Sequence, residues 1–276
     1  MWRAPVKLNS LRAVKEFGKC DSEFSHSEGF WWFPGGREYK GPKHEGEKVK
    51  LTISKEDYLK AIAEAEAEEG NVIAATVARW LSVTPPAVAL ALRRLRRDKL
   101  VDVDRKGHIA LTKAGREVSD RLRFRHHLVE RMLHEMLGIE WYKVHDEAER
   151  LEHSISDDLE RRLIEKLGTG HACPHGNQIN KSAAERHKLG LHLLWEAAPG
   201  SSVRIESMYE RDRQLLEYFD GLGIRPGVDL KVVSRNYDGT LTLRAKKTIN
   251  LGETAAIKVW VSRAPTQLGN TLQDTR

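Results

Sequence analysis

Cysteine is scarce in this chain: its 276 residues hold two, Cys20 and Cys173, far apart and in unlike surroundings. A disulfide framework is not expected, and a reducing, cytoplasmic compartment is. Long apolar runs are lacking too. Stretches such as Val88-Ala89-Leu90-Ala91-Leu92 soon end in charge, so no segment reads as a membrane span and no membrane partner is expected. The N-terminus has no apolar stretch behind a basic start, and Glu16, Asp21 and Glu23 interrupt its basic residues, so it does not read as a signal peptide. What is plentiful is charge. Charged residues make up 31% of the chain and hydrophobic ones 40%, the balance of an ordinary soluble protein with enough apolar material for two or three domains.

The net charge of +6 hints at an anionic partner, and its placement says more. Eight basic residues (Arg79, Arg93, Arg94, Arg96, Arg97, Lys99, Arg105, Lys106) stand against three acidic ones (Asp98, Asp102, Asp104) in one short stretch. Around them the periodicity is informative. Ser54, with Asp57 three residues on, reads as an N-cap ahead of Tyr58, Leu59, Ile62 and Ala65 at helical spacing, and Gly70-Asn71 ends that helix. A second helix is expected over 72–81. Ser82-Val83-Thr84-Pro85-Pro86 is a turn in which Thr84 can cap and Pro85 can open the next helix, over 87–98, with Val88, Leu92 and Leu95 on one face. Residues 100–104 and 108–111 then alternate like two short strands around Arg105-Lys106-Gly107.

Three helices, the last of them basic, followed by a charged two-stranded ribbon make a winged helix-turn-helix. A helix fits the major groove of duplex DNA, and a basic ribbon can reach the flanking phosphates. Thr84 and Pro86 fall at the start of the recognition helix, where side chains meet base edges. Arg93, Arg94, Arg97, Arg105 and Lys106 suit phosphate contacts, which position without specifying. A helical hairpin with a solvated arginine face would account for the charge, but not for the turn chemistry and the ribbon.

Outside this unit, residues 1–50 carry an aromatic cluster (Phe30, Trp31, Trp32, Phe33) but no sustained period beyond a short helix near 8–17, and are expected to be a flexible extension. Residues 112–167 read as almost continuous helix, running to about Leu137, breaking at Gly138 and resuming over 144–151 and 156–167. A Gly-, His- and Asn-rich linker over 168–180 and a short helix over 183–191 lead to a β-rich segment opened by Pro199-Gly200. Strands are expected at 203–205, 230–233, 241–243 and 256–261, and several short strands in so little chain fit a small barrel.

The most specific pattern lies in the helical part. His145, Glu149, Glu152 and His153 stand at i, i+4, i+7 and i+8, so one helix face presents two imidazoles and two carboxylates. On the preceding helix His126 and Glu130 are four apart. Mixed nitrogen and oxygen donors converging from two helices are what a divalent first-row metal requires. Any one pair could be a chance on a solvated face; six such residues at helical spacing are harder to dismiss. In the linker, His171, Cys173 and His175 form a second, weaker cluster, for which a buried free thiol is the bland alternative.

The run Lys55-Glu56-Asp57-Tyr58-Leu59-Lys60-Ala61-Ile62, the winged helix with Pro85-Pro86, the run from Lys143-Val144-His145-Asp146-Glu147-Ala148-Glu149 through Glu152-His153, and Cys173-Pro174-His175-Gly176-Asn177 resemble the diphtheria toxin repressor and manganese transport regulator family over residues 51–263. The resemblance implies a mainly α fold with β. It comprises a winged helix-turn-helix DNA-binding domain (51–113), a helical metal-binding and dimerisation domain (114–192) and a small SH3-like β-barrel (199–263), flanked by the extension at 1–50 and a flexible tail at 264–276. It also implies a regulatory metal site at Asp57, His126, Glu149, Glu152 and His153, and a second site at Glu130, His145, Cys173 and His175, with Asp212 as a further ligand. The family's iron-responsive members carry sulfur where this chain has Asp57 and Glu149, so the oxygen donors here point to Mn²⁺ first and Fe²⁺ second, with other divalent metals able to substitute in vitro. Lys60 stands where two-domain manganese members have another carboxylate.

The function expected is thus that of a metal-dependent repressor of metal-homeostasis genes, a cytoplasmic homodimer on double-stranded operator DNA, and not an enzyme. Two other readings use the same His/Glu cluster, a metallohydrolase with a metal-activated water and a metal-storage protein. Both leave the basic winged helix unexplained.

Overall fold

The computed structural model describes residues 30–32, 38–40, 52–169, 172–178 and 181–264. It falls into two units, 1–46 and 47–276. In the first, strands β1 (Phe30–Trp32) and β2 (Glu38–Lys40) pair antiparallel, with Trp31 opposite Tyr39; Phe33 and the rest of the stretch expected to be a flexible extension lie outside the described residues. The expected helix at 8–17, Cys20, His171 and the tail beyond 264 lie outside the described residues.

The second unit opens with α1 (Ile53–Glu69), whose N-cap is Thr52; Ser54, read as the cap, lies inside the first turn. Leu59, Ile62 and Ala65 are fully buried and form one stripe. Helix α2 (Ala74–Leu81) starts later than expected because Val72 is taken into a bridge with Ile109, whose N–H donates to the Val72 carbonyl at 2.8 Å. After the left-handed turn at Ser82, α3 (Pro85–Arg97) begins at Thr84, which occupies the N-cap without a side-chain bond and leaves initiation to the prolines. Val88, Leu92 and Leu95 seat α3 on α1 and the ribbon, and burying each stabilises the fold by about 1.5–3 kcal/mol. The ribbon is β3 (Val101–Val103) with β4 (Ile109–Leu111), Asp102 opposite Ala110. Its turn is held by Asp104, which accepts from the N–H groups of Lys106 and His108 at 2.8 and 2.9 Å.

Thr112 caps α4 (Lys113–Arg131), accepting from the Gly115 N–H at 3.1 Å. The expected single helix to about Leu137 instead passes into a π-helical turn at Met132–Met136 before Gly138 reverses the chain with φ +69°. Helix α5 (Val144–Leu151), a 3₁₀ turn at Glu152–Ser154 and α6 (Asp157–Leu167) follow. Helix α7 (Ala183–Lys188) opens with a capping box between Ser182 and Glu185.

The C-terminal part holds β5 (His192–Leu193), β6 (Ser202–Met208), α8 (Arg213–Leu222), β7 (Asp229–Arg235), β8 (Thr240–Arg244), β9 (Thr248–Gly252), α9 (Glu253–Ala256) and β10 (Val259–Arg263). The strands form one antiparallel sheet in the order β5-β10-β6-β7-β8-β9. Helix α8, strand β9 and the helical turn α9 were not anticipated; the strand read over 256–261 begins only at Val259. Ile205, Leu216, Phe219, Leu241 and Val261 fill the core, and Trp141, from the loop before α5, joins it. The Trp141 indole N–H donates to Asp220 Oδ1 at 2.6 Å, so an element of the helical part is packed into the β-domain.

Candidate metal centre and DNA-binding face

Helices α1, α4 and α5 and the 3₁₀ turn behind α5 converge on a chain of buried polar groups. His153, on the 3₁₀ turn, sits between two α1 carboxylates: Nε2 is 2.8 Å from Asp57 Oδ1 and Nδ1 is 2.8 Å from Glu56 Oε2. Asp57, Glu152 and His153 offer donor atoms all within 4.8 Å of one another. Glu152 is buried, with Oε2 2.6 Å from His126 Nδ1. Glu149, more exposed, reaches the same centre through Lys60, whose Nζ lies 3.0 Å from Glu149 Oε1. Of the five residues expected to form a regulatory site, Asp57, Glu152 and His153 form one donor set, His126 touches it through Glu152, and Glu149 lies at its edge. Glu56 was not singled out. Its place directly before Asp57, an expected ligand, is the sequence signal that could have found it.

The opposite edge of His126 faces a second set. Its Nε2 is 3.1 Å from Glu130 Oε1 and 3.0 Å from His145 Nδ1. Donor atoms of His126, Glu130, His145 and Glu210 lie within 4.8 Å of one another, and so do those of His127, Glu130, Cys173 and Glu210. His175 completes the arrangement, Nδ1 being 3.4 Å from Glu130 Oε1 and 3.5 Å from Glu210 Oε2. Its Nε2–H donates to the Trp141 carbonyl at 2.8 Å, which turns Nδ1 toward the carboxylates. Asp212, the expected further ligand, stands apart: it is the N-cap of α8 and accepts from the Leu215 N–H at 3.0 Å. Glu210 takes the place expected for it, held by Asn177 Nδ2 at 2.6 Å.

The electrostatics are those of a cation site. Burial and Lys60 push the His126 proton off, yet Glu130 and Glu152 hold its pKa up at about 9; for His175, burial is likewise outweighed by Glu130 and Glu210, raising it to about 10. Burial works against the charged form of Glu130, but His126 and His175 keep it ionised, well below the usual carboxylate range. Burial pushes the Cys173 thiol well up, with Glu130 and Glu210 adding to the effect. Glu130 Oε2 and His127 Nδ1 are buried with no hydrogen-bond partner among the described residues. An orphaned buried carboxylate oxygen is costly, and a divalent ion would satisfy Glu130 Oε2, so these residues fit a metal.

On the other side of the winged helix, Thr84, Pro86, Arg93, Arg94 and Arg97 are exposed along α3, and Arg105 and Lys106 are exposed at the ribbon tip. Arg97 also contacts Asp98, at 3.2 Å.

Three families match in tandem: the iron-dependent repressor N-terminal DNA-binding domain over residues 50–109, the iron-dependent repressor metal-binding and dimerisation domain over 112–181, and the FeoA domain over 192–263. The diphtheria toxin repressor of Corynebacterium glutamicum is 31% identical over 195 residues, covering 67% of this chain and 85% of that protein. The chain belongs to the diphtheria toxin repressor family of metal-dependent transcriptional repressors. The iron-dependent repressor IdeR of Mycobacterium tuberculosis is 36% identical over 208 residues, covering 72% of this chain and 84% of that one. Among solved structures, a manganese-dependent transcriptional repressor in complex with manganese superposes with a TM-score of 0.67 at 31% identity, over 76% of this chain and all of that one. The manganese-activated repressor ScaR in its apo form gives 0.63 at 28% identity, over 75% of this chain and all of that one. As a member of a repressor family this chain is a metal-dependent DNA-binding repressor and not an enzyme, which removes the hydrolase reading of the His/Glu cluster.

Proposed function

We propose that this chain is a manganese-responsive repressor acting in the cytoplasm as a homodimer on operator DNA, with Fe²⁺ as the second activating ion. The observation that carries the reading is the seam between α1 and the helical domain, where His153 meets Asp57 and Glu56 at 2.8 Å each. A divalent ion held there would supply a Lewis acid, for which the Asp57 carboxylate and the His153 imidazole would be donors in place of their mutual hydrogen bond. Asp57, Glu149, Glu152 and His153 are the residues proposed to hold it, with His126 orienting Glu152. Asp57 belongs to the helix on which the recognition helix α3 is packed, so drawing Asp57 and His153 together fixes α3 relative to the helical domain. In a dimer that in turn sets the distance between two recognition helices, which must match successive major grooves.

The oxygen donors Asp57 and Glu149 favour manganese over softer competitors. The second set, Glu130, His145, Cys173, His175 and Glu210, is proposed to bind a further ion that steadies the helical domain against the β-domain. Dimerisation is supported by the match to a metal-binding and dimerisation domain, and by Met136, Leu137, Leu151 and Leu159, large apolar residues left 48%, 65%, 39% and 40% exposed on the helical domain. Among the described residues no single helix is long and apolar enough to cross a membrane.

The test is binding of the metal-free protein to the promoter fragment of its own neighbouring genes, titrated separately with Mn²⁺, Fe²⁺ under anaerobic conditions, and Zn²⁺. Metal-dependent binding with Mn²⁺ effective at the lowest concentration is expected. His153→Ala and Glu149→Ala are expected to abolish the response while leaving the circular dichroism spectrum unchanged. Equal DNA binding with and without metal, or a full response in those variants, rejects the assignment.

A further inference from the structure

With Arg211 Nη1 standing farther off, 3.9 Å from Glu149 Oε1, Lys60 brings a fixed positive charge into the buried centre in place of a donor atom. It is 3% exposed, and its ammonium nitrogen lies 2.7 and 2.9 Å from the two oxygens of Glu152, 3.0 Å from Glu149 Oε1 and 3.1 Å from His126 Nδ1. A buried ammonium is strongly disfavoured unless it is paired and hydrogen-bonded. Here the pairing is with the carboxylates of Glu152 and Glu149, the counter-charges that a buried ammonium requires. The two Glu152 oxygens it grips are not spare. Oε2 also contacts His126, and Oε1 turns toward His153 Nε2 at 3.6 Å, inside the donor set shared with Asp57.

We propose that Lys60 is an internal counter-cation of the regulatory centre, which holds Glu149 and Glu152 together without metal and sets the metal concentration at which the repressor responds. The inference rests on the reading of Asp57, Glu149, Glu152 and His153 as the regulatory site. An ion accepted by Glu152 Oε1 sits beside an ammonium that contacts the same oxygen. The two like charges repel at short range, and Lys60 and Glu152 are both buried, where screening is weak. The ammonium therefore has two effects of one origin. It relieves the repulsion between Glu149 and Glu152 in the metal-free protein, and it weakens the affinity of the centre for a divalent ion. It also claims the inner side of the carboxylates, so that the ion is taken on the Asp57–His153 side. The response threshold is thereby raised without altering a ligand.

The experiment is calorimetric titration of the full-length, metal-free protein with Mn²⁺, comparing wild type with Lys60→Met and Lys60→Gln, which remove the charge, and Lys60→Arg, which keeps it. Thermal melting of the metal-free forms is measured in parallel. Lys60→Met and Lys60→Gln are expected to bind the regulatory Mn²⁺ at least tenfold more tightly while melting at lower temperature without metal. Lys60→Arg is expected to stay near wild-type affinity. Glutamine retains one donor to Glu152, so it carries the test if the methionine variant does not fold. Unchanged or weaker binding in the neutral variants, or the same change in all three, overturns the proposal by making Lys60 a positioning or purely structural group. His153→Ala in the same assay identifies which binding event belongs to this centre. If His153→Ala loses no Mn²⁺, it is the assignment of the site that fails.

Discussion

Arg211, beyond the end of β6, places Nη1 2.7 Å from Glu64 Oε2 on α1, and its Nη2 donates to the Trp80 carbonyl at 3.2 Å. Its guanidinium also lies 5.0 Å from the centre of the Trp80 ring. The C-terminal β-domain is thus fastened directly to the DNA-binding helices, and not only through the helical domain between them. Arg211→Ala removes a partly buried ion pair and a cation–π contact, and is expected to lower stability by about 1–3 kcal/mol. Hydrogen exchange should accelerate in α1 and α2 but not in the core of the β-domain. Unchanged exchange in α1 would mean that this contact does not hold the two domains together.

The recognition face lends itself to a salt test. Arg93, Arg94, Arg105 and Lys106 are exposed on α3 and the ribbon tip, where they suit phosphates. Arg94→Ala and Lys106→Ala should each weaken operator and non-operator DNA alike and reduce the slope of log affinity against log salt by about 1. Thr84→Ala should instead change the preferred operator sequence and leave the slope alone. A slope unaffected by Arg94→Ala would take that arginine off the DNA.

Adjacent histidines make the metal-free protein respond to pH in opposite senses. His126 is raised to about 9 because Glu130 and Glu152 outweigh its burial and the nearby Lys60; its contribution to stability is complete below its ordinary 6.5 and is lost as pH climbs through about 9. His127 is lowered to about 4, chiefly by burial, so it favours folding above 6.5 and its contribution is lost as pH falls toward 4. The metal-free protein should therefore melt at its highest temperature near pH 6.5, and less stably toward pH 4 and pH 9. A melting temperature rising steadily from neutral pH to pH 9 would contradict the environment described for His126.

How much of this was legible beforehand depends on whether a residue's role is local. Val88, Leu92 and Leu95 declare a helix face by spacing alone, and the His145, Glu149, Glu152, His153 run declares a cluster. Direction was not legible. Helix α5 ends at Leu151, and the 3₁₀ turn sends Glu152 inward to Lys60 and His126 while His153 meets Glu56 and Asp57 on α1. Glu210 and Asp212 show the same limit. Both are acidic and near the end of β6, but the short side chain of Asp212 folds back to cap α8, leaving Glu210 to reach the cluster. Had Leu215, Leu216 and Phe219 been read as a helical face, an aspartate three residues before Leu215 would have been recognised as its cap. The sequence marks Lys60 only as standing where two-domain manganese members have another carboxylate; its burial among Glu149, Glu152 and His126 was not legible, since those partners come from α4, α5 and the turn after it, 66 to 92 residues downstream.

Gly176 makes a separate prediction about the second donor set. It follows His175 in the loop that runs against β6, with φ +83°, and a Cβ built there would fall 1.9 Å from the Glu206 carbonyl oxygen. Neither the dihedral nor the space admits a side chain, and the obstacle is backbone that cannot swing aside. The loop is pinned on both flanks of the glycine. Cys173 N–H donates to the Asn177 carbonyl at 3.0 Å, Met208 N–H to the His175 carbonyl at 3.0 Å, and Asn177 Nδ2 to the Met208 carbonyl at 2.9 Å. Gly176→Ala must therefore lift the loop from β6 and carry Cys173 and His175 away from Glu130 and Glu210. A loss of about 2–4 kcal/mol is expected from strain and overpacking together. Because Asp57, Glu152 and His153 lie on other elements, the variant should lose the ion proposed for the second set and keep the one proposed for the regulatory centre, counted by metal analysis after gel filtration. If it retains both ions and melts like the parent, the Cys173–His175 loop does not depend on its seat against β6.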